Sequence, residues 1–211
     1  MLCRNDSAVL CLVWVGFIRV RCGGEGNMER IRSTTIVAVT RDGQVAMAGD
    51  GQVTQGDVVM KHTARKIYRM YNNRILVGFA GSAADGITLL ERLETQLEQN
   101  GGHLRKAAIS LAKDWRTDKY LRRLEAEVVA ASEDVLLVVS GNGDVIQPDE
   151  GLVAIGSGGT YAFAAAQALL RHSTLNAKAI VEAAMSIASS LCIYTNGHIM
   201  VETIPEEPSP A

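Results

Sequence analysis

Two adjacent threonines, Thr34 and Thr35, stand at the head of an apolar run, Ile36-Val37-Ala38-Val39. A threonine hydroxyl is a weak nucleophile unless a base sits beside it. A cut between Ser33 and Thr34 would supply one, because the freed α-amino group belongs to the nucleophile's own residue. Such an amine titrates near about 8 in model peptides, so a substantial fraction is free base near neutral pH. Gly49-Asp50-Gly51 and Arg65-Lys66 follow, adding a carboxylate and a cation that could tune that amine. The plainer readings are an ordinary strand opening on Thr-Thr, a turn aspartate and a surface lysine. What separates the two readings is the remainder of the chain.

The elements that must position these residues are legible in outline. Residues 35–48 read as a hairpin, two apolar runs joined by Arg41-Asp42-Gly43-Gln44. Extended runs are expected at 58–60 and 66–70, then a buried strand at 74–80 ending at Gly81. Ser82 opens a predicted helix with Ile87, Leu90, Leu93 and Leu97 on one face, stopped by Asn100-Gly101-Gly102. A second helix starts near Leu104, passes Leu111 and Trp115, and is followed by a basic-acidic stretch past Leu121 and Leu124. Strands are expected at 128–131, 135–139 and 152–155, helices from Gly156-Ser157-Gly158-Gly159 to Arg171 and over 177–190, and two closing strands flanking Asn196-Gly197. Strands and paired helices alternate, and each helix pair can cover one sheet face. The order predicts two stacked antiparallel sheets between helical layers, an α/β/β/α sandwich of the α+β class.

With 211 residues, 47% of them hydrophobic and 21% charged, the chain has ample core for one domain. A net charge of −2 and the lack of a polybasic run argue against a nucleic-acid partner. Cys3, Cys11 and Cys22 precede the body, in which only Cys192 remains, within an apolar run that looks like core. The body therefore fits a reducing, cytoplasmic setting. Residues 1–33 differ in character, with an apolar run over 8–18 between arginines. That run is too short to span a membrane, and no small-residue cleavage site follows. A targeting signal, a propeptide and an upstream segment ahead of a true start at Met28 all remain open. The expected organisation is a 1–33 extension, one domain over 34–204, and a frayed tail over 205–211.

Collinear motifs then point to a family. Thr34-Thr35-Ile36-Val37, Gly49-Asp50-Gly51-Gln52-Val53-Thr54, Ala64-Arg65-Lys66, Gly78-Phe79-Ala80-Gly81, Lys113-Asp114-Trp115-Arg116-Thr117-Asp118, Gly156-Ser157-Gly158-Gly159 and Cys192-Ile193-Tyr194-Thr195-Asn196 resemble the HslV (ClpQ) family of bacterial proteasome-related protease subunits. The resemblance runs from Thr34 to about Thr203. It implies an N-terminal-nucleophile (Ntn) hydrolase fold and a threonine endopeptidase. It implies Thr34 as nucleophile with its α-amine as base, Lys66 as the cation beside it, and Asp50 as the acid orienting that lysine. Gly81 would donate its N–H to the oxyanion, and Ser157 would hydrogen-bond the terminal amine. No cofactor is implied for catalysis. A sodium ion is implied at the carbonyls of Ser189, Cys192 and Thr195. The implied assembly is two stacked six-membered rings fed with unfolded protein by a hexameric AAA+ ATPase, HslU (ClpY). ATP would be used by that partner only, since this chain has no Walker motif. Two departures stand out: Ser82 and Ser189 replace glycines usual in the family.

Two other readings stay open on the sequence. One is an Ntn amidohydrolase acting on small amides, needing neither ring nor ATPase. The other is a ring-forming structural subunit whose Thr34 is never freed. The trio Thr34, Asp50 and Lys66 argues against the latter, which would have no use for it.

Overall fold

A computed structural model describes residues 31–32, 34–119 and 126–205. Strands β1 (Ile31–Arg32), β2 (Thr35–Arg41), β3 (Gln44–Asp50), β4 (Val53–Gln55), β5 (Val58–Lys61), β6 (Ile67–Met70) and β7 (Ile75–Gly81) precede helices α1 (Ala83–Gln99) and α2 (Leu104–Thr117). Strands β8 (Ala126–Ala131), β9 (Leu136–Val139), β10 (Val145–Ile146) and β11 (Leu152–Gly156) follow, then α3 (Gly159–His172), α4 (Ala177–Leu191) and β12 (Ile199–Ile204).

Side-chain alternation explains why these strands read as nearly unbroken apolar runs. Along β2, Ile36 and Ala38 face one way while Val37 and Val39 face the other, and all four are fully buried. The strand belongs to a four-stranded antiparallel sheet, β11-β2-β3-β12. One face packs on a five-stranded sheet, β10-β9-β8-β7-β6, through Ile36, Met47, Leu76, Val129 and Ile155. The other packs on α3 and α4, whose alanines 162, 166, 184 and 188 admit close approach. The five-stranded sheet turns its far face to α1 and α2, where Val77, Phe79, Leu93, Leu111 and Trp115 meet. Three apolar seams thus separate four layers, the expected sandwich. Burying one such aliphatic or aromatic side chain is worth roughly 1.5–3 kcal/mol, so each seam holds its layers firmly.

The sheet edges are tied as well. Arg69 on β6 donates to the Glu202 carboxylate on β12 (2.7 Å) and to the Thr203 carbonyl (2.9 Å), pinning one sheet to the other. A small third sheet, β1-β4-β5, stands apart, with every residue of β5 exposed.

Some expectations need correction. Ile87 is 50% exposed, and Leu89 takes its place in the seam beside Leu90, Leu93 and Leu97. At 3.6 residues per turn those four leucines share one face, and Ile87 lies about 100° from its centre. Among the described residues only one closing strand forms. The segment before Asn196 is a turn, because α4 extends to Leu191 and Cys192 donates back to the Ala188 carbonyl (2.8 Å). Strands β1, β4 and β10 were not anticipated. The stretch past Leu121, the extension over 1–30 and the tail over 206–211 lie outside the described residues.

Gly86 on α1 sits against Phe79, whose ring a Cβ at this position would overlap. Glycine to alanine ordinarily gains up to ~1 kcal/mol inside a helix. Here overpacking, at ~1–3 kcal/mol, is expected to win, so Gly86→Ala should lower the melting temperature. Calorimetry showing equal or higher stability would contradict this packing.

Candidate active site

The two threonines occupy the end of β2, where the strand leaves the sandwich and its neighbours close round it. Thr34 and Thr35 are both buried. The Ser157 N–H donates to the Thr34 carbonyl (3.0 Å), and the Gly158 N–H donates to the Thr35 hydroxyl (2.9 Å). That approach requires glycine at 156, since a Cβ there would overlap the Thr34 carbonyl. Gly156 accordingly has φ +85°, a conformation disfavoured for other residues. The same imagined Cβ would lie 3.1 Å from the Ala80 Cβ, which puts the end of β7, and hence Gly81, on this side of Thr34.

Asp50 closes β3 beside the threonines. Its Oδ1 accepts from the Thr35 N–H (2.8 Å) and from Lys66 Nζ (3.0 Å), and its Oδ2 accepts from the Gln52 N–H (2.9 Å). Lys66 also donates to the Gln52 carbonyl (2.6 Å). The lysine reaches this point because the preceding loop is anchored: the Ala64 N–H donates to the Gly51 carbonyl (2.8 Å) and Asn196 Nδ2 to the His62 carbonyl (3.0 Å). Both charged side chains are sealed from water, Asp50 wholly and Lys66 to within 4%. Burial pulls the Lys66 pKa below its ordinary value, while the charge and hydrogen bond of Asp50 act to raise it.

Among the sequence-predicted residues, Thr34, Asp50, Lys66 and the 156–158 loop therefore converge. In the uncut chain the Ser157 side chain is exposed and its backbone N–H makes the contact with Thr34. Gly81 lies at the end of β7 with φ +121°, just ahead of α1. Ser82 caps that helix without a side-chain hydrogen bond.

Ser189, Cys192 and Thr195 recur at every third position from the last turn of α4. Ser189 lies in the last turn of α4, Cys192 is its C-terminal cap, and Thr195 follows in the turn beyond. The Cys192 carbonyl accepts from the Thr195 N–H (3.0 Å) and retains a second lone pair. The Thr195 hydroxyl instead bonds the Thr35 hydroxyl at 2.7 Å.

Several residues escaped the sequence reading: Gln52, the side chains of Thr35 and Thr195, and Asn196, which accepts from the Gly51 N–H (3.2 Å). All four lie within motifs that carry the family resemblance, but nothing in the sequence gave the bonds they make.

A proteasome-subunit family profile matches residues 31–204. The chain belongs to the proteasome family. It is 58% identical over 174 residues to a protein of Aquifex aeolicus named ATP-dependent protease subunit HslV, covering 82% of this chain and 99% of that one. A protein of the same name from a Sulfurihydrogenibium species is 58% identical over 177 residues, covering 84% and 99%. Among solved structures, eukaryotic HslV from Trypanosoma brucei superposes with a TM-score of 0.76 at 44% identity, covering 80% of this chain and 98% of that one. BPH of Thiobacillus denitrificans shares the fold at a TM-score of 0.63 and 20% identity, covering 83% of this chain and 100% of that one. These proteasome-family relations make the chain a threonine peptidase subunit by class.

The buried pair carries a stability consequence. Asp50→Asn offers one oxygen where three donors now point at two, and its NH₂ would face a donor. It also strips Lys66 of its counter-charge. Breaking a buried pair in this way costs about 3–5 kcal/mol, so a large fall in melting temperature is expected at neutral pH. Without Asp50 the Lys66 pKa drops further below the unfolded-state value. Between those two values the unfolded chain binds the extra proton, so the deficit should shrink as pH rises through that window. A deficit that grows with pH, or no deficit, would contradict the assignment.

Proposed function

We propose that this chain, once cut between Ser33 and Thr34, degrades unfolded proteins as the peptidase subunit of an ATP-dependent protease. The observation that carries the reading is the dry Asp50–Lys66 pair, bonded directly to the Thr35 N–H next to the nucleophile.

In the uncut chain the Thr34 nitrogen is an amide whose lone pair is delocalised, so it is no base. Cleavage converts it to an amine. That amine takes the proton of the Thr34 hydroxyl as Oγ attacks the scissile carbonyl, and returns it to the departing amine of the substrate. The Lys66 ammonium favours the free-base form of the neighbouring amine and stabilises the alkoxide, with Asp50 fixing its direction. The Gly81 N–H, at a strand end entering α1, donates to the oxyanion. The backbone N–H of Ser157 holds the Thr34 carbonyl, which steadies the residue during attack. The Ser157 hydroxyl lies on the same loop and can meet the amine once cleavage has freed it. A sodium ion bound by the carbonyls of Ser189, Cys192 and Thr195 would neutralise the end of α4 beside this machinery. It takes no part in the chemistry.

The relatives' names carry the ATP dependence, and an HslU-type AAA+ ATPase is the partner proposed here. Two stacked hexameric rings are the proposed assembly. Their formation would cover apolar side chains that one copy leaves in water, among them Val58 and Met60 on β5, Leu191 at the end of α4 and Ile193 just beyond it. Among the described residues no helix is long and apolar enough to cross a membrane, and a cytoplasmic setting is proposed.

Thr34→Ala is expected to abolish hydrolysis of a fluorogenic peptide while leaving assembly intact, and Lys66→Ala to cost at least ~10²-fold in turnover. Intact-mass measurement of the active assembly should find chains beginning at Thr34. Full activity from chains still carrying Ser33, or from Thr34→Ala, would overturn the reading.

A further inference from the structure

Lys66 has two acceptors, and they are anchored differently. Asp50 Oδ1 is a side chain fixed by the strand end and by the Thr35 N–H. The other, the Gln52 carbonyl, belongs to the short link between β3 and β4, outside either sheet ladder. A backbone carbonyl in such a link directs an ammonium only if something holds the peptide plane.

The structure supplies that restraint through the side chain of the same residue. Gln52 is buried to within 5%. Its carboxamide Nε2 donates to the Thr54 hydroxyl (3.0 Å) and to the Ile193 carbonyl (2.9 Å), in the turn after α4. Its N–H donates to Asp50 Oδ2 (2.9 Å). One residue thus bonds the acid, accepts from the lysine, and fastens both to a segment far away in sequence.

We propose that Gln52 is a positioning residue: its carboxamide, tethered to the Ile193 carbonyl, holds the backbone carbonyl that aims the Lys66 ammonium at the nucleophile. The inference rests on the reading of Lys66 as the cation beside Thr34. Gln52 itself touches no substrate. Its loss would leave binding of the peptide unaltered and slow the step in which the ammonium must sit correctly.

The test is steady-state hydrolysis of a fluorogenic peptide by the mature assembly, with melting temperature and ring size measured on the same samples. Gln52→Met keeps length and packing but removes both donors. Turnover (kcat) is expected to fall about tenfold or more, with KM and assembly unchanged and the melting temperature lowered only modestly by the two lost hydrogen bonds. Gln52→Glu keeps the shape but sets an acceptor against the Ile193 carbonyl, and should lose at least as much kcat. If both variants keep kcat within about twofold, or lose it only in step with melting temperature, the positioning role is overturned. Thr34→Ala assayed alongside separates the two readings. Activity in that variant removes the nucleophile assignment, whereas an inert Thr34→Ala beside a fully active Gln52→Met removes only the role of Gln52.

Discussion

A charged lysine buried at the end of a sandwich is the constraint from which the surrounding geometry follows. An ammonium withdrawn from water is costly unless it is paired and its protons are accepted. Lys66 meets Asp50 and the Gln52 carbonyl, and Asp50 in turn accepts from the Thr35 and Gln52 N–H groups. Those contacts come from four short segments, so the pair is satisfied only when β2, β3, the link after β3 and the loop before β6 are all in place. The electrostatic demand of one side chain therefore specifies the meeting point of four pieces of backbone. The threonines lie at that point.

The layers make this affordable in conformational terms. Apolar seams on both faces of each sheet leave the strands little freedom, so their ends are fixed without local help. The chemistry sits at such ends, where backbone N–H and carbonyl groups leave the ladder and become available. Ser157, Gly158 and Gln52 all contribute main-chain atoms from positions where sheet pairing has just stopped.

Much of this could be read from the residues, and the remainder could not for definite reasons. Thr34, Asp50 and Lys66 announce themselves because their types are chemically specific and their order matches a family. The buried runs of β2, β3 and β7 follow from composition alone. The bond from the Ser157 N–H to the Thr34 carbonyl was not legible, because a contact made by backbone N–H leaves no mark on side-chain identity. The bonds from Gln52 to Ile193 and from Thr35 to Thr195 join residues too far apart in sequence for any local pattern to announce. The strand expected before Asn196 failed because its β-branched and aromatic residues were outvoted by α4 running on to Leu191. Ile87 failed because two helical stripes were available, and only packing against β7 chooses between them.

The register of β12 links the far end of the fold to the acid. That strand pairs along β3 from Ile204 opposite Val45 to Ile199 opposite Asp50. It is the last element among the described residues and flanks Asp50 on the outer side of β3. For protein engineering this divides the two ends sharply. A purification tag joined ahead of Thr34 would leave with the extension under the cleavage proposed above, whereas one joined after Ile204 follows a strand that is already paired. Trimming inward from that same end, by contrast, would unzip the edge of β3 from Val45 onward, and only on reaching Ile199 would it uncover the strand end that carries the carboxylate.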